Sequence, residues 1–108
     1  MTNQKRAINA LSALGDPTRR AIFERLAVKP LPVGQLSDGL PVTRSAVSQH
    51  LKILKEAGLV KDISEGTRRI YQLDPRGIGV MREWLERFWT DALNNFSHFV
   101  EQEERDPE

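Results

Sequence analysis

The 108-residue chain contains no cysteine. That absence removes disulfides, thiolate catalysis and thiolate metal sites together. Histidine is scarce, with only His50 and His98. No apolar run approaches the roughly 20 residues that a membrane helix needs. The start, Met1-Thr2-Asn3-Gln4-Lys5-Arg6, leads into amphipathic sequence and no signal-type apolar core, so the expected location is the cytoplasm, with no membrane partner. There is no glycine-rich phosphate loop and no nucleophile elbow. Nothing therefore resembles a catalytic constellation, and neither an enzyme nor a cofactor is expected.

What is present has the balance of a folded chain. Apolar residues make up 39% and charged residues 29%, outside the range of disordered sequences. The length fits one domain, expected over residues 1–100, followed by an acidic tail at 101–108 expected to be disordered. So small a domain buries a modest core, and a partner subunit would help stabilise it. Net charge is only +1, but it is unevenly distributed. Residues 1–76 hold 13 Lys/Arg against 7 Asp/Glu, whereas residues 77–108 hold 3 against 8. A basic body with an acidic end suits a body that faces a polyanion. Charges that merely solvate a surface would also account for it.

Hydrophobic spacing and breakers predict five helices and one hairpin. The first helix covers about Gln4–Leu14, with Ala7, Ile8, Leu11 and Leu14 in phase. Asp16-Pro17 opens the second, since Asp16 can cap the first-turn amides and proline fits the first helical position. That helix runs to about Val28, where Pro30 and Pro32 stop it. A short third helix fits Val33–Gly39, with Val33, Leu36 and Leu40 inward. The fourth begins at Thr43 as N-cap and ends at Gly58 as the C′ residue. Strands are expected at Leu59–Ser64 and Arg68–Leu73, around a Glu65-Gly66-Thr67 turn. Asp74-Pro75 opens a long fifth helix to about Val100, with Gly77 and Gly79 weakening its first turn.

On a helical wheel the fourth helix divides cleanly. Val47, Leu51 and Leu54 fall on one side, and Ser45, Ser48, Gln49 and Lys52 on the other, with Arg44 leading. Gln can bond bidentately to adenine, Arg or Lys to guanine, and Ser or Thr to base or phosphate. A solvent-facing polar stripe would show the same pattern. The short helix before it, the break at Pro41 and the hairpin after it favour a DNA-reading helix. Lys61, Arg68 and Arg69 cluster in that hairpin, where cations can reach phosphates or the minor groove. Edge-strand lysines that block aggregation are the plainer explanation for such charges, but they do not require adjacent arginines after a turn.

Five of the seven aromatic residues lie in the fifth helix: Trp84, Phe88, Trp89, Phe96 and Phe99. With Ile78, Met81, Leu85, Leu93 and Val100 they form a stripe wider than one small core can cover. Such a stripe marks an interface, with an apolar ligand pocket between subunits as a compatible addition; packing on its own domain alone is the plainer alternative.

Three linked segments resemble the ArsR/SmtB family of bacterial winged-helix repressors. They are Leu11-Ser12-Ala13-Leu14-Gly15-Asp16-Pro17-Thr18-Arg19-Arg20-Ala21-Ile22, the recognition-helix stretch Thr43–Val60, and the wing Glu65-Gly66-Thr67-Arg68-Arg69-Ile70-Tyr71. The resemblance covers about residues 7–73 closely and the fifth helix in outline. It implies a mainly α winged helix-turn-helix fold with a small β-hairpin wing. It further implies a homodimer through the first and fifth helices that binds an inverted-repeat operator in double-stranded DNA and represses transcription. Matching positions imply DNA contact by Thr43, Arg44, Ser45, Ser48, Gln49, Lys52, Arg68 and Arg69. Ile8, Leu11, Met81, Trp84, Leu85, Phe88, Trp89 and Phe96 are expected at the dimer interface. A small-molecule or protein inducer is a compatible further partner. The alternative is a winged-helix module that binds a protein, with incidental DNA contact, because fold does not set function.

The chain departs from the family's metal sensors. The stretch Leu31-Pro32-Val33-Gly34-Gln35-Leu36 carries no thiolate where they have a Cys-x-Cys pattern. His98 and Glu101 share a helical face, and Asp91 lies upstream, but the fifth helix has no second histidine. No metal site is expected. His50 reads as a packed histidine bonded to backbone or phosphate rather than a ligand.

Overall fold

The computed structural model describes residues 2–105. Five helices and three short strands follow in the order α1 (Asn3–Ala13), α2 (Pro17–Val28), β1 (Leu31–Pro32), α3 (Val33–Ser37), α4 (Arg44–Glu56), β2 (Val60–Glu65), β3 (Arg68–Leu73) and α5 (Pro75–Arg105). The sheet order is β1-β3-β2, antiparallel throughout.

Local chemistry sets the boundaries. Asp16 caps α2 by accepting from the Arg19 amide at 3.0 Å, and Thr43 caps α4 by accepting from the Ala46 amide at 3.0 Å. Gly58, at φ +81°, ends α4. The Leu59 amide donates to the Leu54 carbonyl and the Gly58 amide to Lys55, the paired bonds of a Schellman motif. In the wing, Gly66 has φ +64° and Thr67 does not share a positive φ. A two-residue turn with glycine first is the II′ pattern, which suits the strand twist.

The core is aliphatic and lies where α1, α2, α3 and α4 meet the sheet. Ile22, Leu26, Leu36, Val47, Leu51, Leu54, Leu59 and Val60 are buried in it, with Phe23, Val33, Leu40, Ile78 and Met81 packed on its rim. Removing Leu51 or Leu54 to Ala would cost about 2–5 kcal/mol by the usual cavity cost.

Four expectations change. The second helix stops at Val28 as expected, but Leu31–Pro32 beyond it forms an unforeseen strand on β3, with Leu31 opposite Tyr71. Proline is tolerated there because β1 is an edge. The third helix ends at Ser37 rather than Gly39, which turns at φ +80°. The buried face of α1 is Ala7, Ala10 and Ala13, while Ile8 is exposed and Leu11 half-buried. Small side chains let α1 lie close against α5, and the larger ones are turned outward. Finally, α5 continues through residues 101–105 of the tail expected to be disordered. Glu and Gln favour helix, and no proline or glycine occurs there before Pro107. Residues 106–108 of that tail lie outside the described residues.

The start of α5 is held tightly. The Asp74 amide donates to the Leu59 carbonyl at 2.9 Å. Gly77 is buried, and a Cβ on it would stand 1.8 Å from the Gly58 carbonyl oxygen. Glycine at 77 therefore permits a backbone-to-backbone contact and does not merely weaken the turn. From there α5 runs 31 residues, about 46 Å at 1.5 Å per residue, and gives the molecule its 70 × 30 × 22 Å extent. No helix among the described residues is long and apolar enough to cross a membrane.

Candidate nucleic-acid interface

α4 presents the two faces that its spacing predicts. Val47, Leu51 and Leu54 are buried, while Arg44, Ser45, Ser48, Gln49 and Lys52 are exposed, with Thr43 exposed at the cap. The helix is positioned by its neighbours. Arg25 of α2 donates through Nη1 to the Leu36 carbonyl at 3.0 Å and the Asp38 carbonyl at 2.5 Å, closing the end of α3. That fixes the turn leading into α4. Arg19 donates through Nε to the Ala13 carbonyl at 2.6 Å, and its Nη1 lies 3.4 Å from His50 Nδ1. His50 thus meets a guanidinium, where backbone or phosphate was expected.

The wing projects beside the start of α4. A cleft of about 190 Å³ opens between them, lined by Pro32, Val33, Arg44, Thr67, Arg68 and Arg69. The site therefore brings three of the expected arginines together. Arg68 and Arg69 are nonetheless unlike. Adjacent strand residues point to opposite faces. Arg68 stands across from Glu65, 3.9 Å away at the exposed tip. Arg69 is bonded to Asp62, which also takes Lys55 Nζ at 2.6 Å. The Lys55 hydrogen bond, then that of Arg69, holds the Asp62 carboxyl below its ordinary value against the opposing effect of desolvation. Asp62 in turn raises Arg69.

Lys61 does not belong to the tip cluster. It pairs in register with Gln72 near the base of the wing, half-buried, and its charge reaches Asp74. Hairpin proximity in sequence overstated its reach.

Sequence reasoning missed Asp62, Arg25 and Arg19. Asp62 could have been flagged, as an acid among the hairpin's cations. The two α2 arginines gave no signal, since their partners are backbone carbonyls or a distant histidine.

The other expected surface lies on α1 and α5, which pack together. Met81 belongs to the rim of the core, and Trp84 and Leu85 are half-buried. Trp84 stacks on Phe88 with ring centroids 5.5 Å apart, and Phe88 meets Trp89 edge-on at 6.0 Å. Beyond them Trp89, Leu93, Phe96 and Phe99 are each about 60% exposed. A cleft of about 480 Å³ between the start of α1 and α5 is lined by Asn3, Gln4, Trp84, Arg87, Phe88 and Asp91, a mixed polar and aromatic wall. His98 and Glu101 are both exposed on α5. Among the described residues no group of three or more His, Asp or Glu is placed to hold a metal ion.

Comparison with known proteins agrees with this geometry. Residues 14–63 match a helix-turn-helix domain family. The chain is 53% identical over 103 residues to the HTH-type transcriptional regulator Rv2034 of Mycobacterium tuberculosis, covering 95% of this chain and 96% of that protein. It is 29% identical to the transcriptional repressor SdpR of Bacillus subtilis, over 81% of this chain and 97% of SdpR. It is 34% identical to the transcriptional activator HlyU of Vibrio cholerae, over 83% of each. Among solved structures, the homodimeric winged helix-turn-helix DNA-binding domain of Mb0332 from Mycobacterium bovis, a possible ArsR-family regulator, superposes with a TM-score of 0.64 at 25% identity. That match covers 88% of this chain and 85% of that one. With its capped α4, its wing and these relatives, the chain belongs to the ArsR/SmtB family of winged helix-turn-helix transcriptional regulators.

Proposed function

We propose that the chain is a sequence-specific DNA-binding transcriptional repressor that acts as a homodimer on an inverted-repeat operator. The observation that carries this reading is α4: one face is buried among aliphatic side chains, while the other offers Arg44, Ser45, Ser48, Gln49 and Lys52 to solvent beside a cationic wing. A major groove accepts a helix of this kind, and these side chains match the donor and acceptor patterns of its base edges. Thr43 and Arg68 would take phosphates and so fix the register.

The exposed aromatic stripe of α5 supports a second copy as partner. A monomer would leave Trp89, Leu93, Phe96 and Phe99 in water. Ile8, exposed on α1, and Leu11, half-buried there, would join the interface in such a dimer. Two copies related by a two-fold axis place two α4 helices on half-sites about one helical turn apart. Its named relatives include the repressor SdpR and the activator HlyU; repression is the direction that the family resemblance implies, and the cytoplasm is where such a protein would meet its operator. A small-molecule or protein inducer would act by shifting this dimer between DNA-competent and incompetent arrangements.

The test is a mobility shift on the chain's own upstream promoter DNA against random-sequence competitor, followed by footprinting. Promoter preference at a palindrome, with affinity falling steeply as salt rises, is the expected result. Equal binding to both DNAs would sink the proposal and leave a protein-binding winged helix.

A further inference from the structure

Asp62 is not among the groups that the DNA-reading surface was expected to use, yet it joins the parts of that surface. Its carboxylate is only 3% exposed although it sits in a wing strand. Lys55 Nζ, in the last turn of α4, lies 2.6 Å from Oδ1, and Arg69 Nη1 of β3 bonds Oδ2. In the register of the hairpin Arg69 faces Ser64, so it reaches diagonally to Asp62 on the same face. One acid thus binds a cation from the recognition helix and a cation from the wing. It does so about three residues, roughly 10 Å, back from the wing tip.

Two consequences follow from the charges. A nearly buried carboxylate is costly unless it is paired, so the three groups hold one another in place. The positive charge of Arg69 is also partly neutralised before any phosphate arrives, whereas Arg68 has only a 3.9 Å contact with exposed Glu65. Adjacent in sequence, the two arginines have different work to do.

We propose that Asp62 is a positioning and specificity-determining residue, locking the angle between the recognition helix and the wing through Lys55 and Arg69, and that Arg68 rather than Arg69 supplies the wing's free phosphate contact. The proposal rests on the DNA-binding reading above. A wing held at one angle favours one groove geometry and therefore one sequence. Released, it settles on any duplex.

The test compares the full-length wild type with Asp62→Asn, Arg69→Met and Arg68→Met, on operator and on a random duplex, across a salt series. Asp62→Asn keeps the shape and removes one negative charge beside the DNA. It should bind random duplex about 3-fold tighter, while its operator-to-random ratio falls about 10-fold. A purely structural role would instead weaken both DNAs together, and that result overturns the proposal, as does an unchanged ratio. Arg68→Met should lower the salt slope by about one ion per protomer, whereas Arg69→Met should lower the ratio and change the slope by less than about half that. Equal slope changes in the two arginine variants overturn the assignment, and this arm stands even where Asp62→Asn does not fold. Should the wild type itself show no operator preference, the DNA-binding reading fails before any variant is made.

Discussion

The winged body and the long helix α5 bury their apolar residues in opposite ways. In the body, between α1 and β3, Ile22, Leu36, Leu51 and Leu54 are inaccessible and the surface is basic. In α5 the first two turns lie on that core, through Ile78 and Met81, and Trp84 and Leu85 of the third are half-buried. The aromatic residues beyond stand in water, along an acidic segment. An aliphatic core completes itself within one chain. A projecting aromatic stripe does not, and its large rings are the kind that anchor interfaces. On the function proposed above, the body folds and reads DNA, and α5 pairs.

The sharpest way to break this comparison is at the joint. Gly77 carries backbone contact between the start of α5 and Gly58, so a side chain there must push two backbones apart. Gly77→Val should cost about 3 kcal/mol or more, seen as a lowered urea midpoint, because neither side is a flexible side chain. A Gly79→Ala control meets nothing within 4 Å and should leave the midpoint in place or raise it slightly. A Gly77→Val protein as stable as the wild type would show that α5 is free to swing from the body.

Next in size is the stripe itself. Trp89→Glu places a charge in the expected interface and should weaken dimerisation by about 2 kcal/mol or more. Sedimentation would show monomer at concentrations where the wild type is dimeric, with the helical signal of the body kept. A dimer that ignores Trp89→Glu would move the interface off this face of α5.

Within the body, Gln49→Ala sharpens the distinction between reading and folding. Gln49 is exposed, whereas Leu51, two residues on, is buried. The Gln49 change should leave thermal stability alone and relax base preference by about 1–3 kcal/mol at its position. A stability loss with preference retained would reverse the two faces of α4.

How much of this was legible depended on range. Caps, turns and the faces of α4 are local, and Thr43, Gly58 and the Val47–Leu51–Leu54 face could be read from spacing alone. Strand β1 could not, because its two residues are defined only by pairing with Tyr71 and Ile70, some 40 positions away. Of the Ala7–Ala10–Ala13 face of α1 only Ala7 was read, because larger neighbours dominate a hydrophobic count. It takes the packed α5 to show that small residues are what fit. In the candidate site, exposed polar residues were found by type, whereas Asp62 and Arg25 act by closing distances that spacing does not reveal. The contrast between Arg68 and Arg69 has the same origin, since their sequence is alike and only the strand's alternation separates them.

The smallest expected effect concerns the charge at the α5 cap. Asp74 is buried, and its carboxylate accepts from the Arg76 amide at 3.0 Å and from the Arg76 guanidinium at 3.3–3.4 Å. The Arg76 side-chain bond is the main cause that holds this acid below its ordinary value, with desolvation opposing it. An acid depressed in the folded state stabilises the fold above its unfolded value, about pH 4, and that contribution is lost as pH falls through the folded one. Asp74→Asn keeps a good capping side chain and removes only the charge. The variant should therefore be less stable by about 1 kcal/mol or less at neutral pH, given how exposed Arg76 is, and the gap should close under acid. Urea midpoints taken from pH 7 downward would show it, with added salt narrowing the neutral-pH gap. A gap that persists unchanged into acid would mean that Asp74 holds α5 to the body through shape and hydrogen bonding rather than through charge.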